Sequence, residues 1–527
     1  MSERAEPAIA EGAVAASSAR RVGAAAALLA GSVLLSRVLG LVRDMVLSLR
    51  VGAGASADAY NAAFQLPDLL NHFLVGGALS IAFVPLWTST LSRDGRAAAD
   101  RVFGTVLGTL TVAVTLLTVA AFVFADRLVA LQFPLFTPEQ REITARLTRI
   151  VLPGQIFFVC GGVIQAVLMA QGRFLTQAAA PLVYNFGIIL GGLVLGSWIG
   201  IDGFAWGALA GAALGPFLLP LLDARGRTPF PVRVSPLDPD FVGYAAVAAP
   251  LVMGFTLLTV DEWYSRWLGQ LGGAGTIAVL AYARRLQLVP VAVVGQTLAT
   301  AALPTLSRLY AEGRKDQLDQ LVLRTLKAGI GIGLLGGAAT WAVAEPAVRL
   351  IYERGRFGPD DTQRVAAALA IYALAVPAWI AQQIAVRPFY ARGDTWRPML
   401  FGTFMAVAAI PLYWWLARYG ANGIAWAAVL AVGATAILTL LLARRFHGAP
   451  ALGELAVSLL RTGSIALLAG GAARWAMPDR PGHLGALLDL AVAGTAFLAI
   501  AVPGVAFAAD RATRDAALAL WQRVRRR

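Results

Sequence analysis

The chain has 527 residues, 58% of them hydrophobic and only 14% charged, and its mean hydropathy is +0.68. A soluble core cannot enclose that much apolar surface, so the composition excludes a soluble globular protein and requires a polytopic membrane protein. The net charge of +14 does not mark a nucleic-acid binder, because the basic residues fall in alternate short loops and not on one patch or stripe. The single cysteine, Cys160, lies in an apolar segment, rules out an intramolecular disulfide and reads as packing.

Residues 1–21 are polar and Ala-rich and end in Arg20-Arg21. They read as a cytoplasmic tail before an uncleaved first helix, since the apolar run that follows is too long for a twin-arginine signal and carries Arg37. Apolar segments then lie near 22–50, 60–91, 103–131, 148–171, 178–200 and 203–222, followed by the polar loop DARGRTPFPVRVSPLDPD. Further segments lie near 241–268, 276–306, 328–351, 365–389, 398–417, 421–443, 455–476 and 483–508. The fold class expected is all-α and polytopic, with about fourteen transmembrane helices. With the N-terminus inside, the loops SRDGRAAADR, DARGRTPFPVR, SRLYAEGRKDQ and ARRFH and the tail RVRRR fall on the cytoplasmic side, which then holds about twice the Lys and Arg of the other. Both termini are assigned to the cytoplasm. The last stretch, from Arg511, reads equally as a basic amphipathic tail on anionic lipid or as a solvated end.

The chain repeats itself at an offset of about 220 residues. GFAWGA from Gly203 recurs as GIAWAA from Gly423, MAQGR from Met169 recurs as YARGD from Tyr390, Tyr60 and Gln65-Leu66-Pro67 match Tyr282 and Gln287-Leu288-Val289-Pro290, and Pro153 matches Pro377. Each repeat holds six helices, an even number, so the halves insert the same way round and are related by an axis along the membrane normal, enclosing a central cavity and moving by alternating access. The expected organisation is an N-lobe (22–225), a C-lobe (240–445), an extra helix pair (450–508) and a basic tail (509–527).

Charges in the apolar segments then become candidates for the cavity lining, because each costs about 2.5–3.5 kcal/mol at the centre of an inserted helix. In SRVLGLVRD, Arg37 and Asp44 are seven apart and share a face, with Arg43 beside them. Asn61, Gln65, Asp68 and His72 form a polar stripe at helical spacing, bent at Pro67, and the second half offers Arg284 and Arg285. The balance is cationic, which suits a substrate bearing phosphate or carboxylate oxygens. The other reading is that these charges pair among themselves or snorkel at helix ends. In DEWYSRW, Glu262 and Arg266 form an i,i+4 pair, and Trp263, Tyr264 and Trp267 read as an interfacial belt; Asp261 is the candidate for binding a coupling cation. No phosphate-loop, metal-spaced or nucleophile and base motif stands out, so a transporter, not an enzyme, is expected, with no metal site.

SRVLGLVRD, the following VGAGASADAYNAAFQLPDLLNHFLVGGALSIAFVPLW, and later IYERGRFGPDDTQR and FYARGDTWRP resemble the MurJ (MviN) family of lipid II flippases, within the multidrug/oligosaccharidyl-lipid/polysaccharide exporter superfamily. The resemblance runs over the whole chain. It implies two six-helix lobes, a terminal helix pair forming a groove for an isoprenoid tail, and transport of an undecaprenyl-pyrophosphate-linked peptidoglycan precursor across the bacterial inner membrane for cell-wall synthesis. It further implies membrane lipids and cell-wall synthesis proteins as partners, and no cofactor beyond a coupling cation (Na+ or H+) or the membrane potential.

Carried over by position, Arg37, Arg43, Asp44 and Asp58 match the family's first block, and Arg285 matches the cavity-lining arginine of its eighth helix. Asp44 is then expected to pair with Arg43 or Arg285 in a gate that includes Asp58. Arg37, Arg43, Arg284, Arg285, Gln65, Asn71 and His72 are the expected head-group contacts. The chain departs from the family's pattern at Asn71, where an arginine is usual, at Gly76 and Leu288, where acidic residues are usual, and at Arg284, which is expected to compensate for Asn71. These departures leave open export of another polyprenyl-linked glycan or amphiphile, and a non-transporting membrane scaffold.

Overall fold

The computed structural model describes residues 28–29, 31–74, 82–226, 231–253 and 257–525, and every regular element among them is a helix. The longest form where the sequence is apolar over many turns. Arg96–Val123, Lys315–Ala342 and Gly420–His447 run 28 residues each, which at 1.5 Å per residue is about 42 Å and exceeds a hydrocarbon core of about 30 Å. Among the described residues nine helices are long and apolar enough to cross a membrane, or ten if Pro359–Ala373 and Val376–Ala391, bent by 41°, count as one span. The all-α membrane class therefore stands, while the count of about fourteen is not reached by this measure. The stretch expected near 276–306 is divided into Thr276–Pro290 and Thr297–Ala311 with a π-helical segment between them, while the described helices within those expected near 60–91 and 241–268 are Gln65–Leu74 and Val84–Asp94, and Pro239–Met253 and Leu257–Gly269. The interruption after Pro290 has a local cause, since proline has no N–H to give to the helix ladder.

The repeat is written in the backbone as well as in the motifs. Glycines with positive φ recur at about the same offset of 220 residues: Gly95 with Gly313, Gly172 with Gly393, Gly200 with Gly420 and Gly226 with Gly448. Each ends or turns a helix in the left-handed region that only glycine enters without strain. The helix order between them recurs too, Arg96–Val123, Ala125–Gln132 and Pro138–Val151 matching Lys315–Ala342, Ala344–Tyr352 and Pro359–Ala373.

The described chain forms two compact units. One holds Met1–Arg50, Ala63–Pro134 and Pro138–Met253, the other Val51–Ala62, Leu135–Thr137 and Gly254–Arg527, in each case the described residues of those ranges. The first unit packs Phe83, Trp87, Phe103, Val163 and Val167 at its centre. Within it Gly187 and Gly191 of one helix meet Gly203, Gly207 and Gly211 of the next so closely that added Cβ atoms would overlap backbone, the small-xxx-small contact that lets helices associate without a hydrophobic drive. The second unit is centred on Leu326, Ile330, Trp379, Ile380 and Ile384. Here the terminal pair Leu452–Ala476 and Gly482–Phe507 packs on Lys315–Ala342, and its outer face leaves Leu460, Leu467, Leu498 and Phe507 exposed. Such a face suits contact with lipid.

Candidate functional site

In the first unit the helix over residues 31–51 carries Arg37, Arg43 and Asp44. Arg37 is exposed, Arg43 half-buried, and Asp44 only 5% exposed. The guanidinium of Arg43 folds onto its neighbour, with Nε and Nη2 donating to Asp44 Oδ1 at 3.0 and 2.9 Å and Nη1 donating to Asn185 Oδ1 at 3.3 Å. Asn185 is buried and fixed in turn, its Nδ2 donating to Pro181 O at 2.9 Å and to Ser36 Oγ at 3.3 Å. Pro181 frees no backbone donor of its own, and the asparagine four residues on uses that turn's carbonyl, which fixes its amide orientation. Sequence reasoning missed Asn185; its signal is a lone polar side chain four residues after a proline in an apolar helix. Asp44 thus pairs with Arg43 within this unit.

The stripe of Asn61, Gln65, Asp68 and His72 does not run along one helix. Phe64 separates Ala55–Ala63 from Gln65–Leu74, and Pro67 sits in the first turn of the second helix, where its missing N–H costs nothing. Gln65 is buried, Asn71 and His72 are half-buried, and His72 meets Phe73 edge-on at 5.7 Å. Gly76 lies outside the described residues.

Asp58, expected in a gate, has a different set of partners. It is 2% exposed, and its carboxylate accepts hydrogen bonds from the backbone N–H of Gly275 at 2.5 Å and of Ala278 at 2.8 Å. These are orphan amides at the N-terminus of Thr276–Pro290, where a negative charge is also favoured by the helix dipole. The same junction is tied by Tyr282 Oη donating to Gly52 O at 3.1 Å and by Arg364 Nη2 donating to Ala274 O at 3.0 Å. Gly275 has φ 84° and a Cβ there would strike the Ala53 carbonyl, so only glycine allows this approach.

The helix fixed in this way carries Arg284 and Arg285. They line a small recess with Asn61, Ser265, Arg266 and Leu288. Glu262 and Arg266 form the expected i,i+4 pair at 2.5 Å. Tyr264 is not part of an interfacial belt. It is buried, donates from Oη to Ala406 O at 3.0 Å, and packs edge-on to Tyr413 at 5.3 Å, whereas Trp267 is exposed. Asp261 is 1% exposed and takes an ion pair from Arg284 Nη1 and a hydrogen bond from Tyr413 Oη. Arg284 is therefore committed to Asp261 and does not stand as a free cation, while its guanidinium also lies 5.9 Å from the Trp379 ring. Tyr413 and Trp379 were not singled out from sequence, because an aromatic in an apolar helix carries no signal of its polar contact.

The family model described as lipid II flippase MurJ matches residues 47–483. The chain belongs to that family. A probable lipid II flippase MurJ of Rhizobium meliloti (strain 1021) is 30% identical over 418 residues, covering 77% of this chain and 78% of the relative. The lipid II flippase MurJ of Burkholderia cenocepacia is 26% identical over 379 residues, covering 70% and 73%. Among solved structures, a lipid II flippase MurJ in an inward closed conformation aligns at TM-score 0.76 with 20% identity, covering 90% of this chain and 97% of its own. An inward-facing MATE family multidrug transporter of the MOP superfamily aligns at TM-score 0.66 with 16% identity, covering 78% and 94%. At these identities the two structures speak for the fold, which is that of the family.

Proposed function

We infer that this protein flips lipid II, the undecaprenyl-pyrophosphate-linked peptidoglycan precursor, from the cytoplasmic to the outer leaflet of the bacterial inner membrane by alternating access. The observation that carries this reading is the family match across residues 47–483, which takes in both halves of the internal repeat. Physical chemistry supports the same reading. A diphosphate head group crossing a layer where each bare charge costs several kcal/mol needs a shielded cationic path, and the terminal helix pair offers an apolar outer face for the isoprenoid tail. Arg43 and Arg285 are the arginines to which we assign the head group, with Arg37, Gln65, Asn71 and His72 as further contacts. Arg43 is held by Asp44 in the state described, a natural resting partner for a cation that later meets phosphate. Both termini are assigned to the cytoplasm.

Complementation tests this. In cells depleted of their own lipid II flippase, the wild-type chain should restore growth and surface-exposed lipid II, and Arg43→Ala/Asp44→Asn and Arg285→Ala, inserted at normal levels, should not. Failure of a correctly inserted wild type would transfer the reading to another polyprenyl-linked glycan, and rescue by both variants would remove the head-group assignment.

A further inference from the structure

Asp261 is the acidic residue that the sequence offers as the seat of a coupling cation, yet a cation is already there. One carboxylate oxygen holds the guanidinium of Arg284 and the other accepts from the Tyr413 hydroxyl, so both oxygens are in use at a position closed to solvent. The partners are themselves fixed. Tyr413 packs edge-on to Tyr264, whose hydroxyl is anchored on Ala406 O, and Arg284 is backed by the Trp379 ring. Arg284 also rides on a helix whose first turn is capped by Asp58, so the guanidinium is delivered to Asp261 from a fixed origin.

We propose that Arg284 is a built-in counter-cation for Asp261, standing where a sodium ion would otherwise sit, so that this position takes no exchangeable cation while the pair is closed. A mobile ion would have to shed its hydration shell and displace a charge tethered beside the carboxylate at high effective concentration. The residues at Asp261 thus do not fit a sodium site, and the drive for transport comes from the membrane potential or from an ion held elsewhere. That last consequence rests on the flippase reading, but the state of Asp261 does not, and it can be measured without any transport assay.

The test is thermal unfolding of the purified full-length protein in nanodiscs, in sodium chloride or choline chloride at equal ionic strength. Wild type and the double variant Asp261→Asn/Arg284→Gln should unfold at the same temperature in both salts. Arg284→Gln should be destabilised in choline and recover with a saturable sodium dependence, because the vacated carboxylate then has no cation. A saturable sodium stabilisation of wild type that the double variant lacks would overturn the proposal, as would an Arg284→Gln protein indifferent to sodium. Should Arg284→Gln fail to accumulate, the comparison of wild type with the double variant decides alone. Absence of lipid II flipping with sodium-indifferent wild-type unfolding would count against the function and leave the counter-cation intact.

Discussion

Replacing Asp58 should unfasten the N-terminus of the helix that carries Arg284 and Arg285. The carboxylate accepts from Gly275 N at 2.5 Å and Ala278 N at 2.8 Å in a position 2% exposed, so Asp58→Ala leaves two buried amide donors without an acceptor. Hydrogen bonds to a charged group contribute about 1.5–3 kcal/mol each, and ordinary N-cap removal costs about 0.5–2 kcal/mol. Part of the gross gain is offset by burying the carboxylate, so a net loss of about 2–4 kcal/mol is expected. Asp58→Asn keeps one acceptor oxygen and should fall between wild type and alanine. The assay is unfolding of the purified protein by increasing SDS mole fraction in mixed micelles, with circular dichroism as readout, alongside the surface lipid II measurement. A gate residue would give the opposite pattern, with transport lost in Asp58→Asn at unchanged stability. That result, or an Asp58→Ala protein within about 0.5 kcal/mol of wild type, would refute the capping role.

Further outcomes are open to measurement. Arg43→Ala removes the cation from a carboxylate only 5% exposed and should lower abundance, consistent with about 3–5 kcal/mol for breaking a buried pair; Arg43→Ala/Asp44→Asn should regain abundance on immunoblots yet still fail to complement. A Cβ at Gly161 would overlap the Pro216 carbonyl, so Gly161→Ala should reduce the folded fraction in detergent size-exclusion profiles, whereas Gly494→Ala, with open space around it, should behave as wild type. Asp126, outside the spanning segments, has its carboxyl held below the usual range by the hydrogen bond from Arg149. Its small stabilising contribution is therefore complete above the unfolded-state value near pH 4 and fades as pH falls through the lower folded value, so Asp126→Asn should flatten the acid limb of the unfolding curve below about pH 4.

Several of these features were legible in the sequence because they depend on local or compositional chemistry. Apolar length announces membrane helices, the motifs GFAWGA and GIAWAA announce the repeat, and Glu262 and Arg266 are bound to meet because four residues of α-helix bring them together. Pro67 announced a bend close to the break at Phe64, whereas the break after Pro290 was passed over because hydropathy averages over a window wider than the one turn that decides it. Nor could spacing tell that Asp58 would cap a helix 217 positions further on, that Asn185 would hold Arg43, or that Tyr413 and Arg284 would fill the coordination of Asp261. Sequence fixes which residues are too costly to leave bare inside a membrane. Which partner relieves each cost depends on helices brought together from distant parts of the chain, and that is a property of the packed structure alone.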